Sequence, residues 1–352
     1  MSTQSTAAGG APPVVVIGAS AGGVEALRDL VSRLPGDLPA CVLVVLHVPA
    51  DSPSALPAIL RRISDLPVRQ AEDGDLLRPG EILVARPDHH LVVADGAVLL
   101  TRGPKENGHR PAVDVLFRSA ARACGSRTLA LVLSGALDDG AAGAVAVAAR
   151  GGHVAVQSYD EALWASMPRA TQSAVGQAEQ RTTEGLAELV TAWAGDVDST
   201  ALEPSPVWPE LENEVEMATM GSSAMHEVDR PGIPSGFGCP DCAGALFEIE
   251  EKTLVRYRCR VGHAWSPDSL LARHVVELEG ALWMALRSLE ERAALNTVLG
   301  ERAGRNGHER TAARFGDNAH QATSAAELVR QLITDIGDSL NAVEPDSAGI
   351  GG

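Results

Sequence analysis

The chain has 352 residues, 45% hydrophobic and 3% aromatic, enough for one sizeable core and a smaller second unit. Its net charge of −17 divides into −4 over residues 1–195, −8 over 196–232 and −5 over 233–352, and this acid balance throughout argues against nucleic acid or an anionic membrane surface as partner. No apolar run approaches the roughly 18 residues of a membrane span, residues 1–13 carry no leader signature, and three of the five cysteines crowd between Cys239 and Cys259. The expectation is a cytoplasmic chain without membrane insertion, its cysteines serving a metal site rather than disulfides.

From Val14 to Gly195, short Val/Leu/Ile runs alternate with amphipathic stretches, which is the pattern of βαβ units. Strands are expected at Val14–Ile17, Cys41–Leu46 and Thr128–Leu133, and helices at Val24–Arg33, Ala55–Ser64, Val113–Ala123 and Ala141–Arg150. Leu91–Ala94 and Val98–Thr101 flank Asp95-Gly96 and read as a hairpin, making the expected sheet mixed. The fold class is therefore α/β, a doubly wound, mainly parallel sheet with a hairpin, over residues 12–195. Residues 196–234 are acidic and rich in Pro and Ser and read as a linker, followed by a small Cys/His unit at 235–267. Ser266-Pro267 then starts a long amphipathic helix, Gly304 to Gly307 breaks it, and a second helix completes a hairpin over 268–340.

The first strand ends in Gly18-Ala19-Ser20-Ala21-Gly22-Gly23 and leads into a helix, as in a nucleophile elbow that presents a serine hydroxyl. The same residues are one substitution from a dinucleotide fingerprint, but Ser20 stands where that motif needs a glycine, and His47 closes the second strand where it needs an acid. Taken alone, Ser20 could equally be a helix cap. Its position changes that, because Ser20, His47 and Asp139 each follow a different strand, and open α/β sheets gather function at those carboxyl ends. An imidazole suits a general base for Ser20, ahead of His89, His90, His109 and His153. One of Asp138 and Asp139 is expected to cap the following helix and the other to accept the His47 ring N–H, while the Ala21 amide is the expected oxyanion donor.

Five segments in order resemble the catalytic domain of the chemotaxis protein-glutamate methylesterases, the CheB type. They are Gly18–Gly23, Leu46-His47-Val48-Pro49-Ala50, Ala71-Glu72-Asp73-Gly74, His109-Arg110-Pro111-Ala112-Val113-Asp114-Val115-Leu116-Phe117 and Asp139-Gly140-Ala141-Ala142-Gly143. Ser166-Met167-Pro168-Arg169-Ala170 is similar to the family's Met-Pro motif. The resemblance implies Ser20 as nucleophile, His47 as base and Asp139 as orienting acid. It also implies methanol release from γ-glutamyl methyl esters on methylated chemoreceptor cytoplasmic domains, deamidation of receptor glutamines, and no catalytic cofactor. Ala136 is assigned with Ala21 to the oxyanion and substrate region, and Arg110 to the substrate groove. Gly135-Ala136-Leu137-Asp138-Asp139 departs from the family's Gly-Met-Gly-Asn-Asp, which touches the second oxyanion contact. The chain starts almost at the first catalytic strand, so control by a receiver domain of its own is not expected.

Cys239-x2-Cys242 and Cys259-x3-His263 form two ligand pairs with the spacing of a closed, tetrahedral structural zinc site in a ribbon-like unit. Arg256, Arg258 and Arg260 alternate along a short strand and read as a solvated face. The helical extension suits internal packing or docking of signalling-pathway proteins, so the rival to an esterase is a non-catalytic scaffold that binds receptor or kinase partners.

Overall fold

A computed structural model describes residues 12–197, 207–220, 232–251 and 254–342. Its contacts divide the chain into two units, Met1–Leu270 and Leu271–Gly352. In the first, the β-branched run at Val14 forms strand β1 (Val14–Ala19), which leads into helix α1 (Gly23–Val31), β2 (Cys41–Leu46), α2 (Leu56–Arg61), β3 (Val68–Gln70) and β4 (Glu81–Val84). There follow β5 (His90–Ala94), β6 (Ala97–Thr101), α3 (Val113–Cys124), β7 (Thr128–Val132), α4 (Ala141–Ala149), β8 (His153–Gln157), α5 (Ser166–Val175), β9 (Glu179–Arg181) and α6 (Thr183–Asp196). Seven strands pair in the order β3-β4-β2-β1-β7-β8-β9, and every pairing is parallel. The expected hairpin forms as β5 and β6, but as a separate two-stranded sheet, so the main sheet is not mixed.

Strand alternation explains the layering. Val14 and Val16 of β1 point into a core shared with α3, α4, α7 (Pro209–Ala218) and the hairpin, whereas Val15, Ile17 and Ala19 point into one shared with α1, α2 and α6. With both faces covered, the strands can be almost continuously apolar. Within the expected linker, residues 207–220 hold helix α7, whose Leu211 and Val215 lie in the first core; 198–206 and 221–231 lie outside the described residues. Acidic composition obscured a helix whose apolar residues recur at four-residue spacing.

A four-stranded antiparallel sheet follows, β10 (Ile233–Gly238), β11 (Ala245–Glu251), β12 (Leu254–Cys259) and β13 (Ala264–Trp265). Arg256 and Arg258 do share a face of β12, but that face is buried, correcting the expectation of a solvated one; the two are 4% and 6% exposed. Together with Arg118 they surround Glu106 and Glu214. Paired in this way, the charges can leave water.

Helices α8 (Pro267–Arg305) and α9 (Glu309–Ala342) are joined by a short turn. In the second unit Gly300 lies against Phe315, and Glu290 pairs with Arg330, giving the expected antiparallel hairpin. Among the described residues no helix is long and apolar enough to cross a membrane.

Candidate active site

Ala19 and Leu46 are register partners in β1 and β2, so Ser20 and His47 leave neighbouring strand ends side by side. The His47 amide donates to the Ala19 carbonyl at 3.1 Å, which ties the two turns together. The Ser20 amide donates to the Ser134 carbonyl, anchoring the elbow to the end of β7. Gly22 adopts φ 70° there, where a Cβ would also stand 2.7 Å from Ser134 Oγ, so glycine is required by backbone and space together. The Ala21 carbonyl accepts from Ser134 Oγ, and among the described residues its amide donates to nothing.

His47 Nε2 lies 2.7 Å from Asp139 Oδ2, and both side chains are almost fully buried. That contact directs the Nε2 proton at the carboxylate and leaves Nδ1, which has no hydrogen-bond partner, as the basic nitrogen. The Ser20 hydroxyl makes no hydrogen bond to the ring or to any other described group. His47 stacks with His109, ring centroids 3.7 Å apart. Burial pushes His109 down to about 4, aided by the proximity of His47, so His109 is a neutral platform at neutral pH.

The two aspartates resolve differently from the capping expectation. Neither side chain caps α4; the Gly140 and Gly143 amides at its start donate to Asp114 Oδ1 from the first turn of α3. Asp139 in turn receives the Val113 and Asp114 amides at 2.7 and 3.2 Å, at the N-terminus of α3. The helices thus exchange caps, and the α3 dipole favours an ionised Asp139. Burial opposes that ionisation, but His47, His109 and the Val113 amide together hold the carboxyl well below the usual range. Burial and the nearby Asp139 charge push Asp114 up instead. Asp138 Oδ1 accepts from the Ser266 hydroxyl; burial pushes its acid up to about 6.

Of the remaining expected residues, Arg110 is committed to Asp88 and to the carbonyls of Arg102 and Gly103. Ala136 is partly exposed beside Leu137, which sits at φ 61° and is 37% exposed. His90 is excluded as a base because Nε2 donates to the Pro104 carbonyl while Nδ1 accepts from Ala112. His153 faces Glu179 at the far end of the sheet, and His89 bonds the Pro87 carbonyl. Sequence reasoning missed Asn107, which donates to both Asp114 and Asp139, and the platform role of His109. Asp114 and His109 lie within the segment that carried the resemblance; Asn107 lies just outside it and carried no signal.

In the Cys/His unit, Cys242 Sγ is 3.7 Å from Cys259 Sγ, and His263 Nδ1 lies 3.7 Å from Cys239 Sγ and 3.6 Å from Cys259 Sγ. All four donor atoms fall within 4.8 Å of one another. A tetrahedron with metal–sulfur bonds near 2.3 Å has S–S edges of about 3.8 Å, so the group could hold a metal ion.

Fold and site define an α/β protein with a serine, a histidine and a buried carboxylate gathered at the carboxyl ends of parallel strands. The CheB methylesterase family profile matches residues 15–190, and the chain belongs to that family. It is 41% identical over 184 residues to a protein-glutamate methylesterase/protein-glutamine glutaminase of Myxococcus xanthus, covering 51% of this chain and 53% of that protein. Identity to a namesake from Anaeromyxobacter dehalogenans is 39% over 188 residues, covering 53% and 54%. The chain therefore spans about half the length of the curated relatives it matches. The solved CheB methylesterase catalytic domain of Thermotoga maritima is 33% identical, with TM-score 0.49, over 51% of this chain and 97% of that one.

Proposed function

We propose that the chain is a protein-glutamate methylesterase that hydrolyses γ-glutamyl methyl esters on the cytoplasmic helices of methylated chemoreceptors, and deamidates receptor glutamines at the same site. The observation carrying this reading is the His47 ring, with one nitrogen on a buried ionised carboxylate and the other unpartnered, on a residue that leaves its strand next to Ser20. His47 Nδ1 takes the Ser20 proton as Oγ bonds to the ester carbonyl carbon, and the negative charge moves to the carbonyl oxygen. The Ala21 amide stabilises that oxyanion, with Ala136 on the facing loop as the second contact. Collapse expels the methoxy group, which leaves as methanol with the proton returned by His47. Water activated by the same nitrogen then cleaves the acyl-serine, freeing the glutamate carboxylate. With glutamine the leaving group is ammonia.

In this reading residues 12–195 are the catalytic domain, 235–267 a zinc-binding unit and 268–340 a helical hairpin, in a cytoplasmic protein. Cys239, Cys242, Cys259 and His263 would hold zinc with four protein ligands, so the metal would be structural and supply no chemical step of the hydrolysis. Exposed Trp283, Met284, Leu328 and Leu332 support the hairpin as a surface for signalling proteins. The test is methanol release from a methylated receptor fragment. Wild type should release it, with Ser20→Ala and His47→Ala near background; equal release by all three would overturn the reading.

A further inference from the structure

Between the metal group and the catalytic carboxylate runs a continuous set of contacts. His263 is followed by β13, whose Ala264 carbonyl accepts from the Asn107 amide at 2.8 Å while its own amide donates to Lys105 at 3.2 Å. The loop from Lys105 to His109 is thereby held like an added strand, with Glu106 bridged to Ala264. The Glu106 side chain is gripped by Arg256 of the Cys/His unit and Arg118 of α3, and a Cβ on Gly108 would stand 3.4 Å from the buried Trp265 ring.

Asn107 is the centre of this arrangement. Its Oδ1 accepts the Ser266 backbone amide and the Ser269 hydroxyl, both at 2.9 Å. A backbone amide can only donate, so the Asn107 atom facing it is oxygen and the NH2 must face the opposite way. That NH2 donates to Asp114 Oδ2 at 3.3 Å and Asp139 Oδ1 at 3.2 Å. An aspartate here would place a third carboxylate against two others, whereas an amide is acceptor on one side and donor on the other. Asp139 has each oxygen doubly engaged, Oδ1 by Asn107 and the Asp114 amide, Oδ2 by His47 and the Val113 amide. The same loop delivers His109 to the face of His47.

We propose that Asn107 is a positioning residue through which the Cys3His unit sets the alignment of Asp139 and His47, so that loading this unit with zinc tunes the hydrolase. The proposal rests on the esterase reading for its kinetic consequence, but not for its structural one. Metal binding closes the Cys259–His263 knuckle, the knuckle places Ala264 to Ser269, and these residues orient the amide that keeps Asp139 turned towards His47.

Two readouts on the full chain test this, with EDTA-stripped and zinc-reloaded protein. Stripping zinc should lower kcat about tenfold with KM within twofold, because the alignment of the base rather than ester binding is lost. Asn107→Ala should retain zinc and show the same loss, and stripping this variant should cost no more, since both changes cut one connection. Ser269→Ala removes a single hydroxyl and leaves every metal ligand in place, and should lower kcat about threefold in the same pattern. Independently of any substrate, histidine 15N spectra should show the His47 ring resonances moving on stripping and in Asn107→Ala. If wild type releases no methanol yet His47 responds, the esterase reading falls and the coupling stands. His47 resonances indifferent to both changes, or kinetic losses that multiply, would overturn the coupling.

Discussion

Strands β1, β2 and β7 bury apolar side chains on both faces, in two extensive cores, whereas among the described residues the four-stranded sheet around the Cys/His group has a core of five, two of them cysteines. At about 2 kcal/mol for each large apolar side chain buried, the first sheet is held by its own packing. The second is too small for that, and draws on the Arg118, Arg256, Arg258, Glu106 and Glu214 cluster that fastens it to the seven-stranded domain and, in the reading proposed above, on metal ligation. What differs is the kind of bond each sheet depends on, and hence which perturbations reach it.

The sharpest separation should come from Cys259→Ser. Structural zinc in small domains contributes on the order of 10 kcal/mol, so this variant should lose metal and expose the chain between β10 and β13 to limited proteolysis. The seven-stranded sheet should stay protected, and equal cleavage in both regions would erase the contrast.

Asp139→Asn attacks the other region without touching its packing. An amide no longer orients and charges against the imidazole, and kcat for methanol release should fall by about 10^4, while the melting temperature also drops because one oxygen that accepts two hydrogen bonds becomes an NH2 facing donors. A fall of less than tenfold would remove Asp139 from the chemistry.

Glu106→Gln strikes the seam. Arg118, Arg256 and Arg258 would lose the buried charge they share, at a cost of roughly 3–5 kcal/mol in denaturant unfolding. Loss confined to the Cys/His sheet would show that the seam serves that side alone.

The smallest effect concerns pH. Burial pushes Asp138 up to about 6 from an ordinary 3.8, so the folded state holds this proton more tightly than the unfolded chain. Its contribution is complete below pH 4 and is lost as pH rises through 6, about 3 kcal/mol by pH 7. Asp138→Asn should flatten that limb of a stability–pH curve, and an unchanged slope would assign it to another group.

Much of the catalytic side was legible because its signals are local. The β-branched run at Val14, the glycines around Ser20 and the histidine closing Cys41–Leu46 each announce themselves within a few residues, and parallel pairing then brings strand ends together. The hairpin's turn was equally local, but its separation from the main sheet was not, because edge pairing depends on which strands are already taken. Helix α7 was hidden by the acidic composition around it, and the capping roles of Asp138 and Asp139 were misassigned because a capping partner can lie on another helix.

The sequence by itself pointed to the doubly wound domain, to Ser20 and His47 and to the four-ligand Cys/His group, since each rests on periodicity, strand ends or short spacing, while the choice of Asp139 over Asp138 came from the family resemblance. Only the tertiary structure decided that Arg256 and Arg258 are buried, that Asp114 and Asp139 exchange helix caps, and that Asn107 bridges Ser266 to Asp139. The reason is separation along the chain. Asn107 lies 32 residues from Asp139 and 159 from Ser266, and no local propensity or spacing rule reaches that far.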